Sequence, residues 1–191
     1  MLEMTCQLMF LGSPLLLAAV AQGLCIKYDW MSWLKRPLDF GLTYKGKRIF
    51  GDHKTWRGLA INLVFCSLGA GIQGWLQKEN YVSPWLFLLD YTRSGYLIGL
   101  FVGLGMTLGE LPNSFIKRRL EISPGKRTRG LIGIALFFFD QVDLTIGIWI
   151  FLLFLMRPSP LLILWSFPLT IVLHVLVSGV GYLLRMRKTL F

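Results

Sequence analysis

The sequence predicts an all-α integral membrane protein. It has five transmembrane helices, an outside N-terminus, a cytoplasmic C-terminus and structured basic loops on the cytoplasmic side. Three observations lead there. Of the 191 residues, 54% are hydrophobic and only 16% charged, with mean hydropathy +0.59, more apolar than soluble domains ordinarily are. Five apolar stretches stand at roughly 4–26, 58–77, 95–111, 131–155 and 160–184, each near the twenty residues needed to cross the hydrocarbon core. Finally, 17 of the 20 Lys and Arg fall in segments that a five-span count places on one side. That asymmetry is the positive-inside pattern, and it sets the orientation.

The first span lacks a basic leader region and a clean small-residue cleavage site, so it reads as a helix rather than a signal peptide. After it comes "KRPLDFGLTYKGKRIFGDHKTWRG", Lys35 to Gly58, a structured loop by its Gly, Pro37 and turn signals. One reading is a topogenic loop resting on anionic headgroups. Glycines alternating with basic residues around Asp39, Asp52, His53 and Thr55 suit contact with phosphates better.

The third span carries Gly95, Gly99 and Gly103, a small-residue stripe for close helix packing. Pro112 then predicts a break, with Glu110 just before it and Asn113 or Ser114 capping a new helix "SFIKRRL". Free N–H groups at such a start, beside Lys117 and Arg118, would form an anion site. The alternative for "KRR" is a stop-transfer cluster. The fourth span holds "FFFDQVD", in which Asp140 and Asp143 interrupt an apolar run. At i and i+3 they share a helix face, with Cβ atoms about 5–6 Å apart. They repel unless a proton or a cation lies between them. A proton relay or an internal pair with Arg or Lys is one solution. Mg²⁺ fits better near a phosphate-friendly surface, because it takes one or two carboxylates and fills its shell with water and phosphate oxygens. Glu110 is the candidate third carboxylate. His174, alone in the fifth span, reads as a packed residue.

Cys6, Cys25 and Cys66 show no metal-like spacing and read as small hydrophobes. Trp30, Trp33, Trp56, Trp75 and Trp85 flank spans as interface anchors. No repeat or low-complexity tract is evident, so residues 1–191 are expected to form one membrane domain. The formal net charge of +10 follows membrane orientation, and nucleic acid is not an expected partner.

Three motifs in order, "GDHKTWRG" (51–58), "GELPNSFIKRRLEISPGK" (109–126) and "FFFDQVD" (137–143), resemble the membrane cytidylyltransferases that make CDP-archaeol, distant relatives of CDP-diacylglycerol synthases. The likeness runs from about Pro37 to Asp143. The wider superfamily joins Ser-x-x-Lys-Arg, here Ser114, Lys117 and Arg118, to Asp-x-x-Asp, here Asp140 and Asp143. The phosphatidate enzymes usually carry a Lys-Asp pair and a His-Gly-Gly run between these elements. This chain has neither, which favours the archaeol branch.

The resemblance implies cytidylyl transfer from CTP to a membrane lipid phosphate, most simply 2,3-bis-O-geranylgeranylglycerol 1-phosphate, with release of diphosphate. It implies Asp140, Asp143, Lys117 and Arg118 as catalytic and Asp140, Asp143 and Glu110 as Mg²⁺ ligands. Ser114, Asn113, Lys54, Thr55, Arg57 and Lys126 would contact substrate. The site would face the cytoplasm from the cell membrane. The same chemistry on phosphatidate and a small ion-coupled transporter are the alternatives. A transporter would place polar residues on both sides of the membrane, whereas here they cluster on one. A CDP-alcohol phosphatidyltransferase is excluded, because "LTIGIWIFLLF" follows Asp143 where that class adds Gly, Ala-Arg and two further Asp.

Overall fold

The computed structural model describes residues 1–122 and 130–183. Long helices dominate them: α1 (Leu2–Lys27), α2 (Trp56–Lys78), α3 (Tyr91–Arg119), α4 (Gly130–Leu152) and α5 (Pro160–Leu183). A two-stranded hairpin, β1 (Thr43–Tyr44) and β2 (Lys47–Arg48), lies between α1 and α2. Its register pairs Thr43 with Arg48 and Tyr44 with Lys47. Lys45 and Gly46, both at positive φ, make the two-residue turn, as a tight hairpin demands.

Three segments are long and apolar enough to cross a membrane by length and composition: Leu2–Lys27, Trp56–Lys78 and Pro84–Arg119. Val142–Leu152 and Pro160–Leu173 are shorter apolar helical stretches among the described residues. The helices match the expected spans in order, and four of them closely in length. The third does not. α3 runs unbroken through Pro112 to Arg119, so the expected break is absent and no new helix starts at Asn113 or Ser114. Proline removes one backbone bond and strains the preceding turn, at a cost of about 3 kcal/mol. The contacts that Lys117, Arg118 and Arg119 make beyond Pro112 offset this.

Helix packing follows glycine. On one face of α3, a Cβ at Gly95 or Gly103 would lie 2.6 Å from the carbonyl oxygen of Ala70 or Asn62, and one at Gly99 would strike that of Cys66. This stripe seats α3 on α2. The other face bears Gly105 and Gly109, which meet α4 at Ile148, Gly147 and Asp143. α3 is therefore the central helix, sandwiched by backbone contact on both sides.

Polar side chains lock the bundle. Asn62 donates to Thr107 at 2.9 Å, Thr145 to Thr170 at 2.9 Å, Trp149 to Ser166 at 2.8 Å and Trp165 to Thr5 at 2.8 Å. The five interface tryptophans are all exposed, and Cys25 and Cys66 are buried.

Candidate functional site

A helical period of 3.6 sets Glu110, Asn113, Ser114 and Lys117 on one face of α3, at i, i+3, i+4 and i+7. That face turns toward α4 because Gly109 lets the backbones meet. A Cβ on Gly109 would lie 2.6 Å from the Asp143 carbonyl oxygen. Asp140 and Asp143, one turn apart on α4, thus face Asn113 and Lys117.

Asn113 sits at the centre, only 2% exposed. Its Nδ2 donates to Asp143 Oδ2 at 2.8 Å and also to Asp140 Oδ1. Lys117 Nζ forms an ion pair with the same Asp140 oxygen. Asp143 is buried, and its other oxygen accepts from the Leu144 N–H at 2.7 Å. The expected i, i+3 carboxylate pair is therefore formed.

Glu110 is paired with Lys54 from the loop before α2. Among the described residues, no group of three or more His, Cys, Asp or Glu side chains is placed to hold one ion. Glu110 shares the α3 face that carries Asn113 and Lys117 but is engaged by Lys54. Ser114 is half-buried on the same face.

Other expected contacts are placed elsewhere. Thr55 caps α2, its Oγ1 accepting from the Gly58 N–H at 3.2 Å. Arg57, which was expected over the nucleotide, is buried and donates to Asp29 Oδ1 at 2.9 Å and to the Trp30 carbonyl at 3.2 Å. It clasps the end of α1 to α2, because a buried guanidinium needs local acceptors. Arg118 points away from the carboxylates. Its Nε donates to the Phe50 carbonyl at 3.2 Å and its Nη1 to that of Ile122. Gly51, at φ +93°, allows this approach; a Cβ there would lie 2.9 Å from Arg118 Nε. Lys126 falls outside the described residues.

Sequence reasoning missed two organisers of the loop. Asp39, 4% exposed, accepts from the N–H groups of Gly41, Phe50 and Gly51 at 3.1, 2.9 and 3.1 Å and from Arg48 Nη2 at 2.7 Å. Burial opposes its charge, yet the Arg48 guanidinium and the three N–H groups hold the carboxyl well below the usual range. Arg119 donates to the Lys47 and Arg48 carbonyls at 2.9 and 2.6 Å and to that of Tyr44, and it stacks on Tyr44 and Phe115. Its position as the third residue of "KRR" was the only available signal. Together they fasten the hairpin onto the end of α3, and Lys54 thereby reaches Glu110.

Known proteins are similar to this chain in sequence and fold. A family model described as CarS-like, CDP-archaeol synthase, matches residues 31–191. The CDP-archaeol synthase of Methanosarcina barkeri is 33% identical over 166 residues, covering 80% of this chain and 89% of that protein. That of Pyrobaculum arsenaticum is 32% identical over 171 residues, covering 88% and 90%. A solved intramembrane enzyme of archaeal membrane lipid biosynthesis superposes with a TM-score of 0.62 at 22% identity, over 89% of this chain and 91% of that one. The likeness extends to the whole fold, and the apolar helices mark an integral membrane protein. From the loop that follows α1 through to its last residue, this chain belongs to the CDP-archaeol synthase family.

Proposed function

We propose that the protein transfers a cytidylyl group from CTP to a membrane lipid phosphate, yielding a CDP-lipid and diphosphate with Mg²⁺ as cofactor. The lipid is 2,3-bis-O-geranylgeranylglycerol 1-phosphate and the product CDP-archaeol. The observation that carries this is the meeting of Asp140, Asp143 and Lys117 around Asn113, with a second Lys–carboxylate pair, Lys54–Glu110, alongside. Two carboxylates on one helix face suit Mg²⁺, which takes one or two protein carboxylates and completes its shell with water and phosphate oxygens. The donors present, Asp140 and Asp143 backed by the unpartnered amide oxygen of Asn113, fit such an ion. When bound, it would offset negative charge on the triphosphate and on the departing diphosphate.

The lipid phosphate oxygen attacks the α-phosphorus of CTP as the bond to the bridging oxygen of the β-phosphate breaks. No protein nucleophile is needed, since such transfers depend on positioning and charge neutralisation. Lys117 and Lys54 exchange their carboxylate partners for phosphate oxygens, and the Ser114 hydroxyl donates to another. Arg118 and Arg57 act at one remove, holding the loop that carries Lys54. We further read all five helices as spans, with the hairpin and site on the cytoplasmic side. CTP then enters from water and the lipid from the bilayer.

Purified protein incubated with labelled CTP, Mg²⁺ and a panel of lipid phosphates tests this directly. CDP-lipid and diphosphate should appear in equal amounts, dependent on Asp140 and Asp143. Absence of CTP turnover with every lipid phosphate, from protein shown to be folded, overturns the reading.

A further inference from the structure

Asn113 has an unusual position for an amide. Its Nδ2 touches both Asp140 and Asp143, while its Oδ1 is buried without a hydrogen-bond partner. Two carboxylates on successive turns repel, and something positive must hold them together. Lys117 reaches only Asp140. The partly positive N–H₂ of Asn113 is the group that spans both.

We infer that Asn113 is the positioning residue of the metal site: its N–H₂ holds the Asp140–Asp143 pair together before the ion arrives, and its Oδ1 then turns in as a ligand. This rests on the Mg²⁺ reading given above. An amide is nearly symmetric in shape, so a half-turn about its last torsion exchanges nitrogen and oxygen with little movement elsewhere. The oxygen would then stand where Nδ2 now lies, 2.8 Å from Asp143 Oδ2. Neighbouring oxygens in an octahedral Mg²⁺ shell are about 3 Å apart, given metal–oxygen distances of about 2.1 Å. The spacing suits a shared ion. Coordination gives Oδ1 the partner it lacks, and the ion takes over from the N–H₂ the work of holding the two carboxylates together. Asn113 thereby takes the third protein position expected of Glu110, which Lys54 occupies instead.

The test uses the full-length protein in nanodiscs without nucleotide or lipid substrate, with Mn²⁺ binding read by electron paramagnetic resonance. Thermal midpoints are measured in chelator and in excess Mg²⁺. Asn113→Leu keeps the volume but supplies neither donor nor ligand, so Mn²⁺ affinity should fall at least tenfold and Mg²⁺ should no longer raise the midpoint. Asn113→Asp sets a third carboxylate against the pair. Its midpoint in chelator should fall below wild type, and Mg²⁺ should raise it by more than it raises wild type. A purely structural asparagine would not produce that metal-dependent reversal. Wild-type Mn²⁺ affinity in Asn113→Leu overturns the proposal, as does an Asn113→Asp midpoint that gains no more from Mg²⁺ than wild type. If Asn113→Leu fails to fold, Asn113→Asp decides alone. Asp140→Asn separates the two readings. Loss of Mn²⁺ there with retention in Asn113→Leu rejects the role of Asn113 and keeps the metal, whereas retention in both rejects the metal site itself.

Discussion

Lys117 and Arg119 stand two residues apart on α3 and do different work. Lys117 meets Asp140 in the site, whereas Arg119 grips three carbonyls of the hairpin. Under the proposed function, Lys117→Ala removes a charge-assisted contact to phosphate, a loss of about 1.5–3 kcal/mol, or roughly ten- to a hundredfold in kcat/KM. Its thermal midpoint should stay near wild type. Unchanged CTP-dependent activity in this variant would remove Lys117 from the machinery. Arg119→Ala should show itself first in stability, through faster proteolysis of residues 40–50, with activity lost as Lys54 loosens from Glu110. Equal proteolysis rates for the variant and wild type would contradict the fastening role. The sequence pattern alone had marked Arg118 for the site and left Arg119 outside it. In the fold both arginines hold the loop, because helical rotation directs only every third or fourth residue toward α4.

At the scale of elements, the contact between α3 and α4 decides whether the site exists. A methyl group at position 109 would meet the Asp143 carbonyl oxygen at 2.6 Å and Gly147 Cα at 2.9 Å. Backbone cannot yield as a flexible side chain does, so α4 must shift. Gly109→Ala should therefore cost about 1–3 kcal/mol in stability by overpacking. A displacement near 1 Å should also lower kcat on the order of a hundredfold. A variant with wild-type kcat and midpoint would show that the helices are not held by this contact.

The hairpin loop is a second element with its own signature. The folded carboxyl of Asp39 is depressed relative to its ordinary value of 3.8, so its stabilising effect is fully present above that value. The effect is lost as pH falls through the lower folded value. Hydrogen exchange of residues 39–51 should thus be flat from pH 7 to about pH 5, after correction for intrinsic rates, and rise only below about pH 4. Asp39→Asn should raise exchange at neutral pH. A loop equally protected in Asp39→Asn would show that the carboxylate does not organise it.

For the whole molecule, the proposed five-span arrangement and the segregation of basic residues predict a one-sided site. A cysteine placed at Asn80 should react with an impermeant reagent from outside, and one at Lys126 only from the cytoplasmic side. Reaction of both from the same side would reject the five-span arrangement.

Hydropathy and charge asymmetry alone specified the number, order and approximate limits of the helices, since burial in lipid demands long apolar helical segments. The i, i+3 spacing of Asp140 and Asp143 likewise specified their shared face. Tertiary structure alone decided what those carboxylates meet. Spacing along one helix says nothing about its neighbour, and it was the backbone contact of Gly105 and Gly109 with Gly147 that brought Asn113 and Lys117 to them. The continuity of α3 through Pro112 was also a tertiary outcome. Local chemistry favours a break there, and anchoring by the hairpin outweighs it.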